Sequence, residues 1–243
     1  MPILNLEKGK LEVKNKGEKN AELVIYGEIT SDKWNENEIE PQDVKDLLNE
    51  IGDKDVDIYI NSPGGSVFAG LAIYNMLLRH QGFKRVHVEG YAASIASVIA
   101  MAGDEIVIPE NAYLMIHKAW GVAVGNADDL RERANLYERF DSTIANIYLS
   151  KAKEGLTEEK FQSLMKDETW FNGKEAQEYF NVILGEGNST KACLESDLCK
   201  NYKLPKDLKM ENKVIEKPKE EKDDFGTSEM EIAKAKLSLL LEI

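Results

Sequence analysis

The stretch GYAASIAS, residues 90–97, places Ser94 where a strand ends and a helix of small residues begins. Two roles fit such a serine. As a helix N-cap, its hydroxyl would accept a hydrogen bond from a first-turn N–H. As a nucleophile, it would sit at the positive end of the helix dipole, with the N–H of Ile95 available to a developing oxyanion. The second role follows the logic of the strand–turn–helix elbow of other serine hydrolases, although the G-x-S-x-G pattern is absent. Ser97, one turn further on, reads as a packing residue of the helix.

A serine nucleophile needs a base, and the chain has three histidines. His80 falls near a polar helix end, His87 lies inside RVHVEG, and His117 closes the apolar AYLMIH ahead of the glycine-containing KAWGVAVGN. A polar residue at the end of a buried strand points to the crevice where α/β proteins bind ligands, and His117 has that position. A carboxylate would have to orient the imidazole, but 44 acidic residues leave composition no means of choosing one. NSPGGS, residues 61–66, adds adjacent glycines between a strand and a helix. Such a turn can bring its N–H groups onto an anion or a polarised carbonyl, or be a turn and nothing more.

The elements that must position these groups alternate. ELVIYGEI (22–29), VDIYIN (56–61), RVHVEG (85–90), EIVIP and AYLMIH read as strands, rich in β-branched and aromatic residues. PQDVKDLLNEIG (41–52) and SVFAGLAIYNMLLRHQG (66–82) read as helices ended by Gly52 and Gly82, with a further helix over about 94–102. The alternation predicts an α/β fold with a largely parallel sheet. A long helix is expected over about 128–153, with one apolar stripe through Leu130, Ala134, Tyr137, Phe140, Ile144, Ile147 and Tyr148. One stripe suits a helix packed on its own domain and equally one that stands out against a neighbour. Two shorter helices follow, capped by Thr157 and Asn172.

The bulk numbers exclude some functions. A net charge of −13 opposes binding to nucleic acid or an anionic membrane, since both require clustered Lys and Arg. No apolar run is long enough for a membrane helix, and MPILNLEKGK lacks a signal-peptide core, so a cytoplasmic protein is expected. Cys193 and Cys199 fit no zinc spacing and read as free thiols. No metal or organic cofactor is expected. After about residue 203 the composition shifts: EKPKEEKDDFGTSE (216–229) reads as a charged flexible linker, and MEIAKAKLSLLLEI as a short amphipathic helix or a solvated tail. The expected organisation is an N-terminal segment (1–20), a catalytic domain (21–203) and a charged linker with a short helix (204–243).

INSPGGSVFAGLAIYNML, GYAASIASVIAMAG, YLMIHKAWG and ETWFNGKEAQEY, in this order over about residues 22–185, resemble the Clp protease proteolytic subunit (ClpP) family. The likeness is greatest to its phage and prophage branch, the head maturation proteases. The resemblance implies a ClpP/crotonase-like α/β fold with a protruding long helix and a flexible charged tail. It implies a serine endopeptidase with Ser94 as nucleophile, His117 as base, and the N–H groups of Gly65 and Ile95 as oxyanion hole. The family's aspartate stands two positions before an aromatic–apolar pair, here Trp170-Phe171, which gives Glu168 instead; ETW is usual in the phage branch, and Asp167 is the neighbouring alternative. The family's GLVD-like ending is FNVI at 180–183, and the N-terminal segment shows no clear match to the part that engages an ATPase in the cellular enzyme. A homo-oligomeric ring is implied, with helix 128–153 as the contact between rings, a polypeptide substrate, and scaffold and capsid precursors or a Clp AAA+ unfoldase as partners. The rival functions on the same fold are a crotonase-type acyl-CoA enzyme and a non-catalytic assembly ring.

Overall fold

Among the described residues nine strands make one sheet, and its central strand changes neighbours halfway along. The computed structural model describes residues 10–14, 20–35, 37–186 and 202–204. The chain divides into two units, Met1–Lys206 and Asp207–Ile243. The expected linker and terminal helix, and Cys193 and Cys199, lie outside the described residues.

The first strand, β1 (Lys10–Lys14), pairs antiparallel with β2 (Asn20–Ile29), so the sheet begins ahead of residue 21. The short β3 (Glu38–Ile39) leads into α1 (Pro41–Ile51). Next come β4 (Asp55–Gly65), α2 (Val67–Arg79), β5 (Lys84–Ala93), α3 (Ile95–Ala100), β6 (Glu105–Pro109) and β7 (Tyr113–Ile116). The chain continues through α4 (Ala127–Ser150), α5 (Glu158–Lys166), β8 (Thr169–Asn172), α6 (Gly173–Tyr179) and β9 (Ile183–Gly185). Strands β2, β4, β5, β6 and β9 are neighbours in parallel, as the βαβ alternation dictates. The caps expected at Thr157 and Asn172 form, and Asn172 with Glu175 makes a capping box.

Two elements differ from expectation in a way that matters for the site. NSPGG is part of β4, which stays paired with β2 through Gly65, and α2 starts only after Ser66, whose hydroxyl accepts from Ala69 N–H. The helix after Ser94 is six residues long and wholly buried. Gly70 of α2 lets the two helices lie close: a methyl group there would fall 2.2 Å from Cγ1 of Ile95.

The core is the layer between sheet and helices. Leu23, Ile25, Ile58, Ile60, Val86 and Val88 alternate inward from β2, β4 and β5 and meet Ile73, Leu77, Val98 and Ile99. Each such side chain contributes about 1.5–3 kcal/mol on burial. Only the second half of α4 joins this layer, through Ile144, Ala145 and Tyr148; positions 127–135 are exposed throughout. Among the described residues no helix is long and apolar enough to cross a membrane.

Candidate active site

The fork in β5 builds the site. Its first half pairs with β6 through Arg85–His87, and its second half pairs with β7, with Ala93 beside Met115. Two parallel strands in that register end side by side. Ser94 follows Ala93, its N–H donates to Met115 O at 3.0 Å, and His117 stands two residues past Met115. The result is a 2.6 Å hydrogen bond between Ser94 Oγ and His117 Nε2.

Ser94 occupies the N-cap position of α3 but its side chain makes no cap hydrogen bond. Its φ of 54° lies in the left-handed region, a conformation that costs a non-glycine residue about 1–3 kcal/mol. That backbone turn directs the hydroxyl out of the helix and toward the imidazole. The elbow is braced from behind by Ser97, fully buried, whose hydroxyl donates to Ser94 O at 2.5 Å and lies 2.7 Å from Tyr148 Oη.

The glycine pair comes to the same place. Gly64 and Gly65 have φ of 89° and 142°, open to glycine alone without strain. A Cβ on Gly64 would lie 2.7 Å from Ser94 Cβ and 3.1 Å from Ile95 N. The backbone of the Gly64–Gly65 turn therefore abuts the residue pair Ser94–Ile95. The turn is fixed by Ser62, which donates to Gly27 O at 2.6 Å and accepts from Gly64 N–H at 3.1 Å.

Burial pushes the His117 imidazole down to about 4, against the opposing pull of the Asp141 carboxylate. The ring is therefore neutral at pH 7, the state a base requires. Asp141 is a site residue that the sequence reading did not single out. It is buried on α4, accepts from Ala119 N–H at 2.8 Å and pairs with Lys118 Nζ at 3.1 Å. It ties the strand end that carries His117 to α4. Its signal was present: Tyr137, Asp141, Ile144 and Tyr148 share one face at steps of four, three and four, so an acid interrupts an apolar stripe.

The other histidines serve elsewhere. His80 Nε2 lies 2.8 Å from Lys54 O. His87 pairs with Asp57 at 3.1 Å and stacks on Tyr59.

Glu168 reaches the site by register. β7 and β8 are antiparallel and their pairing ends at Ile116 and Thr169, so His117 follows its last residue on one strand and Glu168 precedes its first on the other. Both line a pocket of about 350 Å³ together with Trp120, Met165, Tyr202 and Lys203. Glu168 also has a left-handed backbone, φ 53°. Its carboxylate does not meet the imidazole; it accepts the backbone N–H of Lys203. Asp167 is the exposed C-cap of α5. Among the described residues no hydrogen bond joins His117 Nδ1 to a carboxylate.

A parallel sheet with helical crossovers, carrying a strained serine against a neutral histidine beside a glycine turn, defines an α/β fold with a serine–histidine pair at the ends of two parallel strands. The chain belongs to the Clp protease family, whose sequence profile matches residues 12–181. It is 34% identical over 129 residues to an ATP-dependent Clp protease proteolytic subunit of Bacteroides fragilis, covering 52% of this chain and 61% of that protein. It is 33% identical over 135 residues to one of Borrelia garinii subsp. bavariensis, covering 55% of this chain and 69% of that protein. A proteolytic subunit of Borreliella afzelii is 33% identical over 135 residues, with 55% and 68% covered. The matched region thus spans less than two thirds of the length of the Bacteroides relative.

Proposed function

We propose that this chain is a serine endopeptidase that hydrolyses polypeptides through an acyl-enzyme. The 2.6 Å contact between Ser94 Oγ and His117 Nε2, made from a left-handed elbow, carries the reading. Ser94 attacks the scissile carbonyl as His117 takes its proton. The N–H groups of Gly65 and Ile95 receive the oxyanion, each lowering the barrier by about 3–4 kcal/mol. His117 then protonates the leaving amine, and a water activated by the same imidazole releases the acyl group. Glu168, which lines the same pocket as His117, is the carboxylate for its Nδ1 in this reading. The test is hydrolysis of fluorogenic peptides together with covalent labelling by a fluorophosphonate. Both are expected in the native chain and neither in Ser94→Ala; labelling of that variant at the native rate overturns the assignment.

The working form is a homo-oligomeric ring. Trp120, Val122, Val124 and Leu130, all exposed, surround the start of α4, whose first half has no partner within its own core layer. Such an apolar cluster marks an association surface. Sedimentation should show an oligomer that Val122→Ser/Val124→Ser dissociates; a native monomer at working concentration removes this reading.

For the biological role, glutamate at 168 in ETW favours the phage and prophage branch and the processing of scaffold or capsid precursors. The relatives' own description as ATP-dependent proteolytic subunits favours work with an AAA+ unfoldase instead. Degradation of a folded substrate that requires a Clp ATPase and ATP selects the second; cleavage of a co-expressed capsid precursor without one selects the first.

A further inference from the structure

Tyr202 is the part of the site that the reaction above leaves unused. It lies beyond the family match, which ends at residue 181, yet its side chain is buried against Tyr91, Ala93 and Met115, with Tyr113 and Trp170 packed around them. This cluster lies on the face of β5 and β7 turned away from the main core. Along β5, Ala92 faces the core while its neighbours Tyr91 and Ala93 face the cluster. The Tyr202 ring meets the His117 imidazole edge-on at 5.4 Å and Trp170 at 6.3 Å. Its hydroxyl donates to Pro63 O at 2.8 Å, one residue ahead of the Gly64–Gly65 turn. The next residue, Lys203, gives its N–H to the Glu168 carboxylate.

We propose that this cleft beside His117 is a peptide subsite selective for tyrosine, and that the chain's own Tyr202–Leu204 segment occupies it as an intramolecular plug. The inference rests on the peptidase reading for its consequence, though not for the binding itself. Three observations carry it. The cleft satisfies both halves of a tyrosine: an aromatic and thioether lining for the ring, and a backbone carbonyl for the phenol. The occupant ties up the carboxylate that His117 needs, so the site is held with its acid turned away. The backbone of the occupant is bent, with Leu204 N–H donating to Tyr202 O at 3.0 Å, whereas a peptide bound along a sheet edge for cleavage is extended. The segment therefore blocks the cleft without presenting a peptide bond to Ser94. The fit is also incomplete, since the indole N–H of Trp170 is buried with no acceptor among the described residues. Leaving such a group unpaired weakens the occupied arrangement.

The experiment compares the native chain with Tyr202→Ala, using a dye-labelled peptide of residues 200–206 and the fluorophosphonate probe. A site that is mostly plugged binds an outside ligand more weakly in proportion to its open fraction. Tyr202→Ala should therefore bind the peptide and label at Ser94 about ten-fold better than the native chain. The same peptide with alanine in place of its tyrosine should not bind. Equal binding and equal labelling in the two proteins, both folded by circular dichroism, overturn the proposal. If Tyr202→Ala does not fold, Tyr202→Phe keeps the ring and loses only the bond to Pro63. It should label faster than the native chain, and equality there overturns the proposal as well. Peptide binding to Tyr202→Ala with no labelling of either protein leaves the subsite standing and removes the peptidase reading. Fast labelling of both with no peptide binding does the reverse.

Discussion

Ser94 and His117 stand 23 positions apart in the chain and 2.6 Å apart in space, joined by the parallel register of β5 and β7, which sets Ala93 beside Met115. The serine holds its place in a left-handed backbone that favours glycine. Ser94→Ala should lower kcat by at least about 10⁴-fold, the scale on which loss of a nucleophile is felt in serine peptidases, with the fold intact. Ser94→Gly should be just as inactive and more stable than Ser94→Ala by about 1 kcal/mol, because glycine relieves the strain. Denaturant midpoints and peptidase rates measured on the two variants check both statements. An Ala variant as stable as the Gly variant shows that the elbow stores no strain.

The imidazole provides the second prediction. It faces Asp141 on α4, its neighbour Lys118, Glu168 at the start of β8 and the ring of Tyr202. Burial holds it neutral down to about pH 4 in the folded chain, against an ordinary value of about 6.5 when unfolded. The unfolded chain therefore binds more protons between pH 4 and 6.5. Above that window His117 adds no pH dependence; as pH falls through it, up to about 3 kcal/mol of stability is lost, and below it the loss is complete. His117→Gln should lose less stability than the native chain between pH 7.5 and 4.5 in chemical denaturation; equal losses refute the assignment. In Tyr202→Ala, water reaches the ring, and the acid limb of kcat/KM should move up from about 4 toward 6.5.

Glu168 and Asp167 are adjacent and differently placed. Glu168 lines the same pocket as His117 and has a left-handed backbone, while Asp167 is exposed at the end of α5. Glu168→Gln keeps the shape and removes the charge that steadies an imidazolium; kcat should fall by about 10²-fold or more. Asp167→Asn should change kcat by less than about two-fold, as surface substitutions do. The opposite ranking would move the role to Asp167. Glu168→Asp should recover part of the lost rate if the carboxylate acts on the histidine, and none if it serves only to fix the backbone.

What could be read from residues alone follows from how locally each feature is specified. The strands were visible because β-branched residues cluster in short runs. His117 stood out as a candidate because a polar residue ends an apolar strand, and the structure brings it to Ser94. The extension of β4 through NSPGG was not: a Pro-Gly-Gly run reads as a turn, and only pairing with β2 keeps it in the sheet. Asp141 was legible in principle as an acid on an apolar stripe, but its partners, Lys118 and Ala119, lie 23 and 22 positions away. Tyr202 had no local signal at all. It is one aromatic residue in a polar stretch, and its contact with Pro63 spans 139 positions. Likewise the carboxylate expected on His117 accepts the N–H of Lys203, 35 positions further along the chain.

Gly70 gives the last prediction, and it tests the elbow from the side opposite the substrate. It sits in α2 where the helix crosses the start of α3, and a methyl group there would lie 2.2 Å from Ile95 Cγ1 and 3.0 Å from Cγ2. Helix propensity alone would make Gly70→Ala stabilising by about 0.5–1 kcal/mol. Steric overlap with a buried β-branched side chain of few rotamers wins over that gain, since overpacking costs about 1–3 kcal/mol. The relief available is a shift of Ile95, and Ile95 supplies the N–H beside Ser94. Gly70→Ala should therefore lose stability and also lower kcat more than it changes KM, because a displaced oxyanion donor weakens the transition state in preference to the bound substrate. Adding Ile95→Ala removes both clashing γ carbons and should restore part of the lost kcat. A Gly70→Ala variant with native kcat and reduced stability would mean that α3 yields somewhere other than at its first residue.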